Sequence, residues 1–156
     1  MRIAILGTGF GKMHAAIFKS IPGVEVAGIF GRDPQKTQQI ARELGIQAFT
    51  HFNLLLQDPG LDAVDICLPT PLHAQYACLA LQHGKHVFCE TPAAYTKTDL
   101  EQMEQACLAA NKQLLVALYA RFNSEIRAIY DYRQDIVARR AVSLPAGAPP
   151  PSGEMD

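Results

Sequence analysis

The sequence predicts an α/β protein in which a doubly wound parallel sheet of about six strands carries helices on both faces. Two observations support this fold class. Short, almost continuously apolar runs alternate with amphipathic segments as far as Leu118, and such runs are typical of parallel strands buried on both sides. The alternation also repeats in two halves, which is the pattern of a doubly wound sheet.

The first half of the chain supplies three strands and three helices. Pro22 and Gly23 end the first helix, and Pro34 suits the first turn of the second, with Asp33 as its N-cap. The predicted elements are a strand at 3–6, a helix at 12–21, a strand at 24–30, a helix at 34–44, a short strand near 48–49 and a short helix through 54–56.

The second half repeats the cycle. Pro71 opens a helix that Gly84 closes, and Thr96 or Thr98 caps the next one. The predicted elements are a strand at 63–68, a helix at 71–82, a strand at 86–89, a helix from 96 or 98 to 110 and a strand at 114–118.

The last residues have a different composition. A helix is expected over 123–134 and a strand over 138–144, whereas the Pro/Gly-rich segment 145–156 is expected to be a disordered tail. The expected organisation is therefore a sheet domain at 1–125, a connecting segment at 126–144 and the tail.

Composition excludes several classes of protein. The net charge of −1 gives no basis for a nucleic-acid or membrane surface held by charge. No run approaches the roughly 20 apolar residues of a membrane span, and the N-terminus has no cleavable signal pattern. A cytoplasmic location is expected. The four cysteines are widely spaced, which favours free thiols over disulfides or a metal site.

A glycine turn, Gly7-Thr8-Gly9-Phe10-Gly11, joins the first strand to the first helix. Glycines there allow a tight turn and bring backbone N–H groups and the positive helix end close to a pyrophosphate. A glycine turn alone is a weak signal, but between a strand and a helix it strongly indicates a dinucleotide-binding Rossmann domain. The third glycine comes one residue early, before Lys12, so Ala15 or Ala16 is expected to provide the close helix–strand packing.

Two polar residues follow the turn. His14 is interpreted as a partly buried helix residue in preference to a phosphate or substrate ligand. For Lys12, screening of phosphate charge and simple solvation are equally consistent with the sequence.

The end of the second strand bears on cofactor choice. NAD-binding domains place an acidic residue there to accept hydrogen bonds from the ribose. Here Gly31 takes that position and Arg32 follows, with Lys36 nearby, which favours a 2′-phosphate and hence NADP(H). NAD(H) remains the alternative, with Asp33 on the ribose after a small bulge.

Four motifs in order resemble the glucose–fructose oxidoreductase/inositol dehydrogenase (Gfo/Idh/MocA) family over residues 1–125. They are the glycine turn ending in His14, Leu68-Pro69-Thr70-Pro71-Leu72-His73, Gly84-Lys85-His86-Val87-Phe88-Cys89-Glu90-Thr91-Pro92 and Arg121-Phe122-Asn123. The resemblance implies that Leu68, Pro69, Thr70 and His73 border the nicotinamide ribose, that Glu90 and Thr91 face the nicotinamide and substrate, and that Arg121 lies near the same end of the cofactor.

The resemblance also implies hydride transfer between a nicotinamide and a carbonyl, imine or sugar-like small molecule. The sequence departs from the family pattern in two ways that limit what the resemblance implies. Thr91 replaces the family's catalytic lysine and cannot act as a cationic proton donor, so no catalytic residue is assigned. Family members are roughly twice as long, so the C-terminal α/β substrate domain is expected to be absent and the isolated chain inactive. The alternatives are a non-catalytic dinucleotide sensor or a truncated fragment, and homo-oligomerisation is one expected outcome for its uncovered apolar helix.

Overall fold

The computed structural model describes residues 1–129, 131 and 132. Six strands alternate with five helices over residues 2–116. The strands are β1 (Arg2–Leu6), β2 (Glu25–Phe30), β3 (Gln47–Phe49), β4 (Ala63–Ile66), β5 (His86–Cys89) and β6 (Leu114–Val116). The helices are α1 (Phe10–Ser20), α2 (Pro34–Leu44), α3 (Phe52–Leu56), α4 (His73–Gln82) and α5 (Lys97–Ala110).

All the strands are parallel, in the order β3-β2-β1-β4-β5-β6. The chain winds outward from β1 to β3 and then crosses back to β4, on the other side of β1. This order confirms the predicted doubly wound Rossmann sheet. The strand order reverses between β1 and β4, and ligands of such sheets bind at the carboxyl ends of the strands near that point.

The sheet separates two apolar cores, because successive residues of a strand point to opposite faces. Ile3 and Ile5 of β1 pack in one core with Ala15 and Ile40, from α1 and α2. Ala4 and Leu6, which alternate with these residues along β1, pack in the other core, which is larger. That core includes residues of α3, α4 and α5: Phe52, Leu55, Leu56, Ala77, Ala80, Leu81 and Met103.

Helix caps agree with the sequence predictions. The carboxylate of Asp33 accepts hydrogen bonds from the backbone N–H groups of Gln35 and Lys36, which begins α2. The hydroxyl of Thr96 accepts one from Asp99 N–H and begins α5. Gly84 follows α4 with a φ of 72°, a conformation that glycine adopts readily.

Two strands end earlier than predicted. The strand at 63–68 ends at Ile66, because the chain then turns into the loop at Pro69, which has no N–H for a further ladder bond. The strand at 114–118 ends at Val116. The helix predicted at 71–82 is a 3-10 turn, Thr70–Leu72, followed by α4.

The chain divides into two compact units, Met1–Ala117 and Leu118–Asp156. In the second unit a 3-10 turn covers Tyr119–Arg121, and residues 124–129 are helical, within the helix predicted at 123–134. The strand predicted at 138–144 and the tail predicted at 145–156 lie outside the described residues, and the boundary at residue 125 stays a prediction. No helix in the described part of the chain is long and apolar enough to cross a membrane.

Candidate functional site

A cavity of about 510 Å³ opens at the carboxyl ends of β1, β2 and β4, beside the point where the strand order reverses. Eight residues predicted to bind cofactor line it together with three others. The full lining is Gly7, Thr8, Gly9, Phe10, Gly31, Arg32, Asp33, Lys36, Cys67, Leu68 and Pro69. The structure thus brings the glycine turn, the end of β2 and the loop after β4 together around one space.

Gly7 makes the tight turn after β1. Its φ is 118°, and a Cβ atom built on it would overlap the carbonyl group of Cys67. Its N–H donates to the carbonyl of Phe30 over 2.8 Å. Glycine is required here by both the backbone conformation and the close approach of the loop after β4.

Gly9 and Gly11 have different functions. A Cβ on Gly9 would meet nothing within 4 Å, and Gly9 borders the cavity, so space is left there for a ligand. A Cβ on Gly11 would lie 2.8 Å from Cγ2 of Ile5. Gly11 therefore provides the close packing of α1 on β1, together with the buried Ala15, although it comes one residue early. Of the two alanines considered for this packing, Ala15 is buried and Ala16 is exposed.

The N-terminus of α1 is suited to an anion. Its N-cap residue, Gly9, has no side chain to bond the first N–H groups, and the first turn contains no acidic residue. By contrast, α2 and α5 have side-chain caps. Backbone donors and the positive end of the helix dipole thus remain for a phosphate beside the cavity.

The end of β2 has no room for a side chain at Gly31. A Cβ there would lie 2.5 Å from both Thr37 Oγ1 and Thr8 Cγ2. An acidic residue at this position would have to displace two packed threonines. Arg32 and Lys36 line the cavity instead.

His14 lies between two carboxylates. Its Nδ1 is 2.9 Å from Asp65 Oδ2, and its Nε2 is 3.1 Å from Glu90 Oε1. Asp65 is completely buried, whereas the side chains of His14 and Glu90 are 12% and 26% exposed. The rings of Phe18 and Phe88 lie 6.4 and 6.2 Å from the imidazole, measured between ring centroids. The prediction of a partly buried His14 is confirmed.

This environment changes the titration of two groups. The hydrogen bond that His14 donates to the Asp65 carboxylate raises the pKa of His14 against an opposing effect of burial, and Glu90 raises this pKa further. Burial and the nearby carboxylates raise the pKa of the Cys67 thiol, whose Sγ lies 3.3 Å from His14 Nδ1. Cys67 is therefore a neutral thiol at physiological pH. All four cysteines are free.

His73 joins two loops. It is 1% exposed, and its Nδ1 lies 3.0 Å from the carbonyl oxygen of Pro92, while its Nε2 lies 2.7 Å from that of Leu68. Both ring nitrogens are thus occupied by backbone oxygens, which ties the loop after β4 to the loop after β5. The predicted contact of His73 with the nicotinamide ribose stays a prediction.

The cavity lining does not include Lys12, Thr70, Thr91 or Arg121. Lys12 Nζ bonds Glu43 Oε2 over 2.6 Å in an exposed ion pair, so it is not simply solvated. Thr70 begins the 3-10 turn after the Pro69 loop, and Thr91 is exposed directly after Glu90. Arg121 belongs to the second unit, and its predicted contact with the cofactor stays a prediction.

Asp65 is the residue that sequence analysis missed. It interrupts the apolar strand β4, and a carboxylate in such a strand requires a buried hydrogen-bond partner. That interruption was the available signal. The partner, His14, is 51 residues away in the sequence.

Comparison with known proteins agrees with this geometry. Residues 1–118 match the family model described as "Oxidoreductase family, NAD-binding Rossmann fold" (GFO_IDH_MocA). The chain is 32% identical over 133 residues to 4-carboxy-2-hydroxymuconate-6-semialdehyde dehydrogenase of a Sphingobium strain, a match that covers 84% of this chain and 42% of the relative. It is 36% identical over 125 residues to D-xylose 1-dehydrogenase (NADP(+)) 2 of Haloferax volcanii, with 79% and 38% covered.

A solved structure shows the same similarity. The NAD binding oxidoreductase from Klebsiella pneumoniae superposes with a TM-score of 0.70 at 31% identity, covering 75% of this chain and 34% of that one. The chain thus spans about two fifths or less of the length of these three relatives. The ordered motifs, the sheet order and the family match together show that this chain belongs to the Gfo/Idh/MocA oxidoreductase family, of which it contains the NAD-binding Rossmann domain.

Proposed function

We propose that this chain binds NADP(H) in the cavity at the carboxyl ends of β1, β2 and β4, as the cofactor domain of an oxidoreductase. The observation that carries the proposal is the end of β2. The space that an acidic side chain would need at Gly31 is filled by Thr8 and Thr37, and two cationic side chains, Arg32 and Lys36, line the cavity beside it.

The residues at the cavity fit each part of a dinucleotide. The pyrophosphate would lie on the N-terminus of α1 over Gly9, and the 2′-phosphate would be held by the guanidinium of Arg32 with Lys36 in support. Leu68 and Pro69 would border the nicotinamide ribose, with Thr70, Glu90 and Thr91 farther along the same edge of the sheet. The bound cofactor would supply or accept a hydride, and this domain would position it.

NAD(H) is the competing cofactor, with Asp33 on the ribose. The role of Asp33 as the N-cap of α2 weighs against NAD(H), because its Oδ1 already accepts hydrogen bonds from two backbone N–H groups, at 2.9 and 3.1 Å. The names of the relatives include both cofactors, since the Haloferax volcanii enzyme is named for NADP(+) and the Klebsiella pneumoniae protein for NAD.

The whole reaction is proposed to be hydride transfer between the nicotinamide and a carbonyl, imine or sugar-like carbon. A non-catalytic dinucleotide sensor is the second candidate, favoured by Thr91 at the position of the family lysine. Turnover of a carbonyl compound by the 156-residue chain would exclude the sensor.

Calorimetric titration with NADPH and NADH tests the cofactor assignment. The wild-type chain is expected to bind NADPH more tightly. Arg32→Ala should weaken NADPH binding by about 1.5–3 kcal/mol, roughly 10- to 150-fold, since it removes hydrogen bonds to a charged group, and should leave NADH binding nearly unchanged.

Arg42→Ala is the matched control, because Arg42 lies in the last turn of α2 and does not line the cavity. It should change neither affinity. Equal affinity of the wild-type chain for the two cofactors would contradict the role of Arg32.

A further inference from the structure

We propose that Asp65, His14 and Glu90 form a proton relay, and that Glu90 is the acid–base group of the oxidoreduction. The proposal rests on the proposed function, since it assigns the proton that accompanies hydride transfer. Glu90 would be the catalytic residue, and His14 and Asp65 would position and recharge it.

The relay follows from the bonding capacity of imidazole. A neutral histidine has one N–H donor and one acceptor nitrogen. Both nitrogens of His14 lie at carboxylate oxygens, 2.9 Å from Asp65 and 3.1 Å from Glu90, and carboxylates only accept. Both contacts can be hydrogen bonds only if the three groups together carry one proton more than a neutral ring and two carboxylates do. That proton resides on the imidazole or on one of the carboxyl oxygens.

The burial of the three groups gives the relay a direction. Asp65 has no exposed surface, and its Oδ1 is a buried oxygen with no partner among the described residues. Glu90, at the other end, is partly exposed where the chain leaves β5. Glu90 is thus the most exposed of the three groups, and protons would be exchanged with solvent at that end. The Thr91 N–H donates to Glu90 Oε2 over 3.1 Å and holds the carboxylate in this orientation.

For the reduction of a carbonyl, the hydride to the carbonyl carbon would come from a bound reduced nicotinamide. The shared proton moves from His14 to Glu90, so the Nε2–H bond breaks as the Glu90 O–H bond forms. That O–H bond then breaks and the proton forms the O–H bond of the product alcohol, which leaves an ionised Glu90 and a neutral ring whose Nδ1–H still donates to Asp65. Water returns one proton through Glu90 after the product leaves.

The surrounding groups do not compete for this proton. Directly after β4 the titratable neighbour is Cys67, a neutral thiol whose Sγ lies 3.4 Å from Asp65 Oδ2 and 3.3 Å from His14 Nδ1. On α1 and β5 the ring faces Phe18 and Phe88, in addition to Glu90. A zinc ion would need a wider arrangement, because nitrogen and oxygen ligands of a tetrahedral zinc lie about 3.3–3.5 Å apart. The 2.9 Å between His14 and Asp65 is a hydrogen-bond distance.

NMR titration of the histidine side chains tests proton sharing without any cofactor. His14→Gln identifies the His14 signal among the five histidines. We expect His14 to titrate above the usual histidine range, and Glu90→Gln to lower its midpoint. Asp65→Asn should lower the midpoint further, since Asp65 makes the stronger contact. Glu104→Gln, on the exposed face of α5, is the control and should have no effect.

A His14 midpoint that does not move in Glu90→Gln would overturn the relay. If Asp65→Asn fails to fold, Glu90→Gln alone still tests the relay. Glu90 is partly exposed, and glutamine keeps the shape of the glutamate side chain, so this variant should fold.

The second measurement is the number of protons exchanged on binding NADP+ and NADPH, from calorimetry in buffers with different ionisation enthalpies. The ring of NADP+ is a cation and that of NADPH is neutral. At a pH near the titration midpoint of His14, the binding of NADP+ should therefore release more protons than the binding of NADPH. The reason is that a cationic nicotinamide ring beside Glu90 repels the imidazolium of His14. His14→Gln should abolish the difference.

The two proposals fail in different ways. Tight binding of both cofactors with equal proton release would overturn the relay and leave the cofactor domain intact. Failure of both cofactors to bind would overturn the proposed function and, with it, the acid–base role of Glu90.

Discussion

The two edges of the site are built differently. At the β1–β2 edge, residues 7–11 and 31–36, the backbone and glycines form the surface: Gly7 makes the turn, Gly9 leaves space and Gly31 excludes a side chain. At the β4–β5 edge, residues 65–73 and 90–92, buried polar side chains bond one another and the loops. Asp65, His14 and Glu90 form one cluster, and His73 joins two loops.

The difference has an energetic consequence. At the β1–β2 edge each glycine has its own steric requirement, so substitutions there should act independently. At the β4–β5 edge the removal of one partner leaves others buried and unpaired, so substitutions should be coupled.

The largest effect is expected for Gly7→Ala. The substitution forces a non-glycine residue to a φ of 118° and drives Cβ into the carbonyl of Cys67. It should lower the free energy of unfolding by about 3 kcal/mol or more, measured by urea denaturation. Gly9→Ala is the control two residues away, with a φ of −90°, a ψ of −101° and nothing within 4 Å of its Cβ, and should cost clearly less because its Cβ meets no backbone. Equal losses would contradict independent requirements.

Gly9→Val should separate binding from folding. The branched side chain would occupy the space left for the pyrophosphate, so dinucleotide affinity should fall by about 100-fold or more, which corresponds to about 2.7 kcal/mol. The melting temperature should stay close to that of the wild type. Ala16→Val, on the exposed side of α1, is the control for affinity. Normal NADPH binding by Gly9→Val would place the cofactor elsewhere.

His73→Phe should destabilise the β4–β5 edge. It leaves the carbonyl groups of Leu68 and Pro92 without their partner, at a cost of about 1–3 kcal/mol in the free energy of unfolding. The exposed imidazole of His83 bonds only the carbonyl of Leu79 among the described residues, so His83→Phe is the matched control and should cost little. A cost for His73→Phe no larger than that of the control would show that the ring does not hold the loops.

The smallest effect is a change of stability with pH. Because the folded pKa of His14 is raised above that of the unfolded chain, the ion pairs contribute their full stability below about pH 6.5. The folded chain binds more protons above that pH, so this contribution is lost as pH rises through the folded pKa. Denaturation midpoints of the wild type should therefore fall more steeply above pH 6.5 than those of His14→Gln. If the denaturation midpoints of the two proteins changed in parallel with pH, the result would contradict the ion pairs of His14.

The sequence predicted the β1–β2 edge better than the β4–β5 edge. The glycine turn, Gly31 and the cap Asp33 are local signals, since turn and cap geometry depend on a few neighbouring residues. Gly11 was misjudged because its close neighbour, a methyl group of Ile5, is brought against it by the packing of α1 on β1. A motif spacing does not show which atoms a folded helix will touch.

The amino-acid sequence by itself determined the parallel sheet, the order of its elements and the glycine turn, because hydrophobic periodicity and turn chemistry act over a few residues. The tertiary structure alone decided the partners of the buried polar groups. His14 and Asp65 are 51 residues apart and meet because β4 pairs with β1, the strand that α1 follows. Pairing over such a distance depends on how helices and strands assemble, and local sequence patterns do not encode it.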